Sequence, residues 1–215
     1  KVIRVTSPVG ITQFSYDDAG RPTCTAIRMN PNAYNQLPAD ACTHSAAGIY
    51  GADRIVRRIY NAAGEVTGEL RAYGTALQQI YASYGYTPNG KRDWIEDANG
   101  NRSNLDYDGF DRVSRLEFPL PAVGQHAANS SDYEQYGYDE NNNRRSLRLR
   151  SGEVIIYDYD ALNREKLRDL PGTASDVYST YDLLNRKLSS RYESVGGLGV
   201  VYSYDAWGGA LTETA

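Results

Sequence analysis

The hexapeptide Tyr-Asp-x-x-Gly/Asn-Arg recurs along this chain, and no other feature limits its fold as much. It reads Tyr16-Asp17-Asp18-Ala19-Gly20-Arg21, Tyr159-Asp160-Ala161-Leu162-Asn163-Arg164 and Tyr181-Asp182-Leu183-Leu184-Asn185-Arg186, with looser copies starting at Tyr60, Tyr86, Glu96, Tyr107, Tyr138 and Tyr204. Recurrence of this kind marks a repeat architecture, in which each unit packs on its neighbours. The fifth position holds Gly20, Gly64, Gly90, Gly100, Asp111, Asn142, Asn163, Asn185 and Gly208. These three residue types tolerate a left-handed backbone. One such residue following a type I turn closes a bulged β-hairpin. The motif therefore predicts positive φ at the fifth position, a strand ending at the first and a new strand beginning at the sixth.

The residue two before the motif is often aromatic or apolar: Phe14, Tyr84, Trp94, Leu105, Tyr136, Tyr157 and Tyr202. Two residues apart on a strand means one face, so each hairpin presents a pair of rings there. Successive copies from Tyr138 to Tyr159, Tyr181 and Tyr204 stand 21, 22 and 23 residues apart. That length holds two strands and two turns. The second turns are placed at Ser151-Gly152, Pro171-Gly172-Thr173 and Gly196-Gly197. The steps of 10 and 11 residues from Tyr86 to Glu96 and Tyr107 put motif turns on both edges there. The expected fold is all-β: one long antiparallel meander of hairpins, a twisting ribbon with little helix and no second layer of its own.

Leu, Ile, Val and Phe make up only about a fifth of the chain, near the level where a conventional core fails. The 19 tyrosines and a net charge of only −4 keep the sequence on the folded side of that limit. Tyr favours strands and buries its ring while its hydroxyl stays hydrated. The mild acidity speaks against a nucleic-acid surface. The basic stretch Asn143-Arg144-Arg145-Ser146-Leu147-Arg148-Leu149-Arg150 reads as one solvated strand face carrying Arg144, Ser146, Arg148 and Arg150. No apolar run is long enough for a membrane helix.

Signs of chemistry are few. His44 and His126 sit among small residues with no partner set by a motif, and read as loop histidines. Cys24 and Cys42 give no zinc spacing. Asp97-Ala98-Asn99-Gly100 lacks the carboxylate ladder of a calcium loop. Neither a cofactor nor a metal is expected. Asp160 with Arg164, and Asp182 with Arg186, read as exposed bridges across one turn. Asp17, Asp108, Asp139 and Asp205 are placed to accept amides of their own turns. Residues 25–54 are the least repeat-like and read as an insertion between hairpins, with Pro31 where a short helix can begin. Its two cysteines are either a disulfide closing the insertion or two buried free thiols.

The segment from Tyr86-Thr87-Pro88-Asn89-Gly90-Lys91 through Asp97-Ala98-Asn99-Gly100-Asn101-Arg102 to Tyr107-Asp108-Gly109-Phe110-Asp111-Arg112 resembles the RHS/YD-repeat family. That family includes bacterial polymorphic toxins, C components of insecticidal toxin complexes, and animal teneurins. The resemblance implies a hollow β-shell built from a coiled ribbon, which in the bacterial toxins encloses a toxic C-terminal domain. It further implies a bacterial protein that is secreted or displayed at the cell surface, and such export tilts Cys24 and Cys42 toward a disulfide. The family's self-cleavage motif contains Asp-Pro-x-Gly elements, and this chain has no Asp-Pro dipeptide.

The chain begins at Lys1 and stops in mid-pattern, so residues 1–215 are expected to be a fragment of shell wall. The expected function is non-enzymatic enclosure or scaffolding of a cargo polypeptide, with the rest of the shell and that cargo as partners. The alternative is a repeat-built adhesin or carbohydrate-binding module, with exposed Tyr rings stacking on a glycan.

Overall fold

The computed structural model describes residues 2–7, 10–172 and 175–214. Seventeen strands form a single antiparallel sheet. They are β1 (Val2–Ser7), β2 (Gly10–Tyr16), β3 (Pro22–Arg28), β4 (Arg54–Tyr60), β5 (Val66–Arg71), β6 (Gln79–Tyr86), β7 (Arg92–Asp97), β8 (Arg102–Tyr107) and β9 (Val113–Pro119), followed by β10 (Ala128–Tyr138), β11 (Arg144–Arg148), β12 (Val154–Tyr159), β13 (Glu165–Asp169), β14 (Val177–Tyr181), β15 (Lys187–Tyr192), β16 (Gly199–Tyr204) and β17 (Ala210–Thr214). Strands pair with their neighbours in sequence, giving an open meander. The only helix among the described residues is one 3-10 turn at Pro31–Ala33.

The motif governs where strands stop. Eight of the nine copies end a strand on their first residue, Tyr16 through Tyr204; the ninth, at Glu96, ends β7 one residue later at Asp97. The next strand begins one residue beyond the expected sixth position, at Pro22, Val66, Val113, Glu165 or Lys187 for example. The sixth residue belongs instead to the turn closure, as where the Asp17 amide donates to the Arg21 carbonyl at 2.9 Å. Just behind the turn the register slips, between Ser15 and Tyr16, Ile59 and Tyr60, Asp158 and Tyr159, and Thr180 and Tyr181. Each slip is a bulge with one extra residue on the returning strand, and bulges strengthen local right-handed twist.

The chain divides into two compact bodies. The first comprises Lys1–Leu105 with Phe118–Asn129, and the second Asp106–Glu117 with Ser130–Ala215. In the first body the sheet is not a bare layer. Residues 29–53 lie over one face of β2, β3 and β4, where Cys24, Ala26, Ala41 and Ile55 form a small buried core with Cys42 and Tyr73 against it. The Ala41 amide donates to Ser15 Oγ at 2.7 Å, and Gln13 Nε2 to the Pro38 carbonyl at 2.7 Å. The expectation of a sheet with no second layer is corrected here, because the insertion folds back and supplies one.

Among the described residues the second body has no such cover. Tyr157 is its one buried apolar side chain among the described residues, with Ser179 and Ser189 as small buried polar groups. Its second turns carry Gly152 at φ 95° and Gly172 at φ 72°. Thr173, expected in the same turn as Gly172, lies outside the described residues.

Candidate functional site

The structure repeats one joint many times, and its parts are the motif residues themselves. All nine fifth positions have positive φ, from 60° at Asn163 to 88° at Gly64. The second-position carboxylate clamps the turn from inside. Asp160 Oδ1 accepts the amides of Leu162 and Arg164 at 2.9 and 3.0 Å; Asp108, Asp139, Asp182 and Asp205 do the same in their own copies. Where Asp is replaced, Asn61 Oδ1 and Thr87 Oγ1 accept the equivalent amide. The Arg112, Asn143 and Arg164 side chains donate to Asp108, Asp139 and Asp160, and with the turn amides hold these carboxyls below their ordinary range. For Asp17 the Arg21 amide leads, with the same result.

The sixth-position Arg does more than bridge its own turn. Arg164 Nε donates to Asp160 Oδ2 at 2.7 Å, while its NH1 reaches the next copy, donating to the Asp182 carbonyl at 2.9 Å and Asn185 Oδ1 at 3.1 Å. Its guanidinium also lies over the Tyr181 ring, 4.8 Å from the centroid. Arg112 repeats the pattern on Asp139, Asn142 and Tyr138, and Arg186 on Asp205 and Tyr204. The reading of these pairs as exposed bridges is therefore corrected. They are half-buried, because the following hairpin covers one face of the guanidinium.

The motif tyrosine completes the joint. The hydroxyls of Tyr60, Tyr86, Tyr138, Tyr159, Tyr181 and Tyr204 donate to the carbonyls of Pro22, Val66, Val113, Arg144, Glu165 and Lys187, at 2.7–2.9 Å. Each acceptor is the seventh residue of an earlier copy. Sequence pattern identifies these tyrosines but not their acceptors, since that requires the strand register. The Arg-rich face of β11 is likewise occupied rather than simply solvated: Arg144 donates to Tyr157 Oη and Arg148 lies over the Tyr133 ring, while Arg150, in the turn beyond the strand, pairs with Asp132 at 2.5 Å. Nearby, burial and the Glu134 carboxylate push the Tyr136 phenol up to about 12.

A second cluster was not expected from the sequence. Arg28 and Asp53 are buried and paired at 2.7 Å. Arg28 also donates to Gln13 Oε1 and the Thr43 carbonyl, while Asp53 accepts the amides of Met29 and Ser45 and the Ser45 hydroxyl. Burial raises the Asp53 pKa, but the Ser45 and Met29 amides and Arg28 more than offset it, leaving the carboxyl below its ordinary value. The one sequence signal is phase: Cys24, Ala26 and Arg28 share a strand face. Cys24 and Cys42 are joined by a disulfide with Cα atoms 5.3 Å apart. Disulfide and ion pair together pin the insertion to the sheet.

Both histidines have structural partners. His44 Nε2 meets the Tyr73 carbonyl at 2.7 Å. His126 has φ 53°, and its Nδ1 lies 2.9 Å from Glu96 Oε1. Burial opposes ionisation of Glu96, but His126 and Arg102 prevail and lower its pKa. Neither imidazole faces a hydroxyl or thiol nucleophile in these contacts. No group of three His, Cys, Asp or Glu side chains fit to hold a metal occurs among the described residues. An open groove of about 600 Å³ lies on the first body, lined by Ile27, Val56, Ala72, Thr75 and Leu77 with Arg54 and Arg71.

No family model matches the chain, and no curated protein matches it. Solved structures do. The crystal structure of TcdB2-TccC3 aligns with a TM-score of 0.63 at 14% identity, over 91% of this chain and 10% of that one. The same complex without its hypervariable C-terminal region gives 0.62 at 16% identity, over 94% and 12%. The Photorhabdus luminescens Tc holotoxin pore gives 0.57 at 17%, again over 94% and 12%. The chain thus spans about a tenth of the length of these chains, and at such identities the likeness is one of fold alone.

Proposed function

We propose that this chain is a non-enzymatic wall segment of an RHS-type shell, which encloses or scaffolds a cargo polypeptide. The observation that carries this reading is the repeated joint. Six motif Tyr hydroxyls and the guanidinium groups of Arg112, Arg164 and Arg186 bond the adjoining hairpin, so the repeat encodes its own extension. Such a design makes surface rather than a pocket of convergent polar groups, and Asp–Arg pairs do structural work in four of the nine copies. The fold likeness to stretches of TcdB2-TccC3 chains supports the same reading. The disulfide fits export to an oxidising compartment. The partners would be the remainder of a longer shell and a cargo within it.

The test is protease protection in the longer protein to which this segment would belong. The polypeptide encoded downstream of the repeats should resist proteolysis while the shell is intact. It should become sensitive when joints are broken, for instance by Arg164→Ala with Arg186→Ala. A downstream segment digested as fast in the intact protein as when expressed alone would refute enclosure. Reproducible glycan-array binding by the 215-residue chain would favour the carbohydrate-binding alternative instead.

A further inference from the structure

The fourth position of the motif separates the two bodies. In the first it holds Ala19, Ala63, Asn89 and Asn99; in the second it holds Phe110, Asn141, Leu162, Leu184 and Trp207. Except at Phe110, whose ring meets the Arg112 guanidinium at 5.1 Å, the turn uses the backbone of this residue. The amides of Phe110, Asn141, Leu162, Leu184 and Trp207 all donate to their own Asp Oδ1 at 2.9 Å, and that of Asn99 does so at 2.8 Å. Turn geometry therefore gives no reason for a large apolar side chain. Yet Phe110 is 79% exposed, Leu162 62%, Leu184 73% and Trp207 95%, and Leu183 beside them is 99% exposed.

These side chains form one ridge. Their turns all lead from an even-numbered strand to the next odd one, so they share an edge of the sheet. Neighbouring turns are bonded directly, Arg112 to Asn142, Asn143 to Asn163, Arg164 to Asn185 and Arg186 to the Asp205 carbonyl. Consecutive tips stand two strands apart, about 10 Å. Leu162, Leu184 and Trp207 are three consecutive apolar tips, with Phe110 set apart from them by the polar tip at Asn141, and a row of exposed apolar groups of this kind marks an interface.

We propose that this ridge is a self-association surface, and that its occupant is the same ridge of a second copy of the chain, met antiparallel about a two-fold axis. The pitch argues for this partner. A row of knobs about 10 Å apart is matched by another hairpin edge of the same spacing, and a two-fold contact is self-complementary. The area is of the right order. The two aromatic tips alone present roughly 300 Å², and a standard interface takes about 800 Å² from each partner, its core apolar and its rim polar. The second-position Asp carboxylates are already paired with Arg or amides, and the exposed Glu140 belongs to the polar tip at Asn141 rather than to the three consecutive apolar tips, so those tips meet without like charges between them. An anionic lipid surface suits a chain of net charge −4 less well. The inference stands whether or not the sheet encloses a cargo.

The test is sedimentation velocity of the 215-residue chain over a wide range of concentration, beside the variant Leu162→Asn/Leu184→Asn/Trp207→Asn. Asn already occupies this position at Asn89, Asn99 and Asn141, so the variant keeps its turns, as an unchanged melting curve would show. The parent should form a dimer, with association in the variant weaker by roughly a hundredfold or more, as when interface anchors are lost. A parent that stays monomeric would overturn the proposal, as would a variant that associates equally well through its edge strands. Flotation of a monomeric parent with phosphatidylcholine vesicles would assign the ridge to lipid instead.

Discussion

At the scale of the residue, the fifth motif position can be read from sequence because so few side chains tolerate its backbone. Gly, Asn and Asp recur there, and each copy has positive φ. Asn185 also accepts a bond from Arg164, a role that its residue type does not announce. Asn185→Val should therefore destabilise by the left-handed strain of about 1–2 kcal/mol and by the lost contact, measured by urea denaturation. Asn185→Gly should lose only the contact. The clamping carboxylates make a second expectation. Asp108 and Asp160 are depressed below 3.8 in the folded chain. A depressed acid contributes stability above its unfolded pKa and loses it as pH falls through the folded value. Melting temperature should be insensitive to these groups down to about pH 4 and fall below that. Asp160→Asn should be less stable at neutral pH and show a shallower acid decline. A decline as steep as the parent's would remove Asp160 from the account.

At the scale of the element, strand order and turn placement follow from the motif, but the joints between hairpins do not. They depend on which carbonyl each Tyr hydroxyl meets once the bulges have set the register. Tyr181→Phe leaves the ring under Arg164 and removes the hydroxyl's bonds to the Glu165 carbonyl and Ser179, at a cost of about 1 kcal/mol or more. Arg164→Lys keeps the charge but loses the planar fork, and should cost at least as much in the same denaturation assay. Equal stability of both variants with the parent would show that the joint adds nothing. The insertion was the least readable element. Its disulfide has a sequence separation of 18, and its loss should cost about 3 kcal/mol in the chain-entropy account. The Arg28–Asp53 pair was invisible because its burial depends on the folded insertion. Asp53→Asn leaves Arg28 buried without its charge partner, at about 3–5 kcal/mol. Retention of parental stability by Asp53→Asn would mean that the network does not hold the insertion.

At the scale of the whole molecule, the two bodies are built on the same hairpin but stabilised differently, and this has a thermodynamic consequence. Ile11, Cys24, Ala26, Ala41 and Ile55 are buried in the first body, against Tyr157 alone in the second among the described residues. Apolar burial supplies most of the drive to fold, so the second body relies on cross-strand rings, Arg stacking and turn clamps of modest individual strength. In repeat proteins stability is nearly a sum of local terms, and unfolding need not be all-or-none. Hydrogen exchange followed by mass spectrometry should therefore show the strongest protection in peptides of β3 and β4 beneath the insertion, and weaker protection in β13 to β16. Reducing agent should lower protection in the first group and leave the second unchanged, because the disulfide lies in the first body alone. Uniform protection along the chain, or equal loss on reduction, would show that the sheet unfolds as one cooperative unit, with the joints rather than the covered core setting its stability.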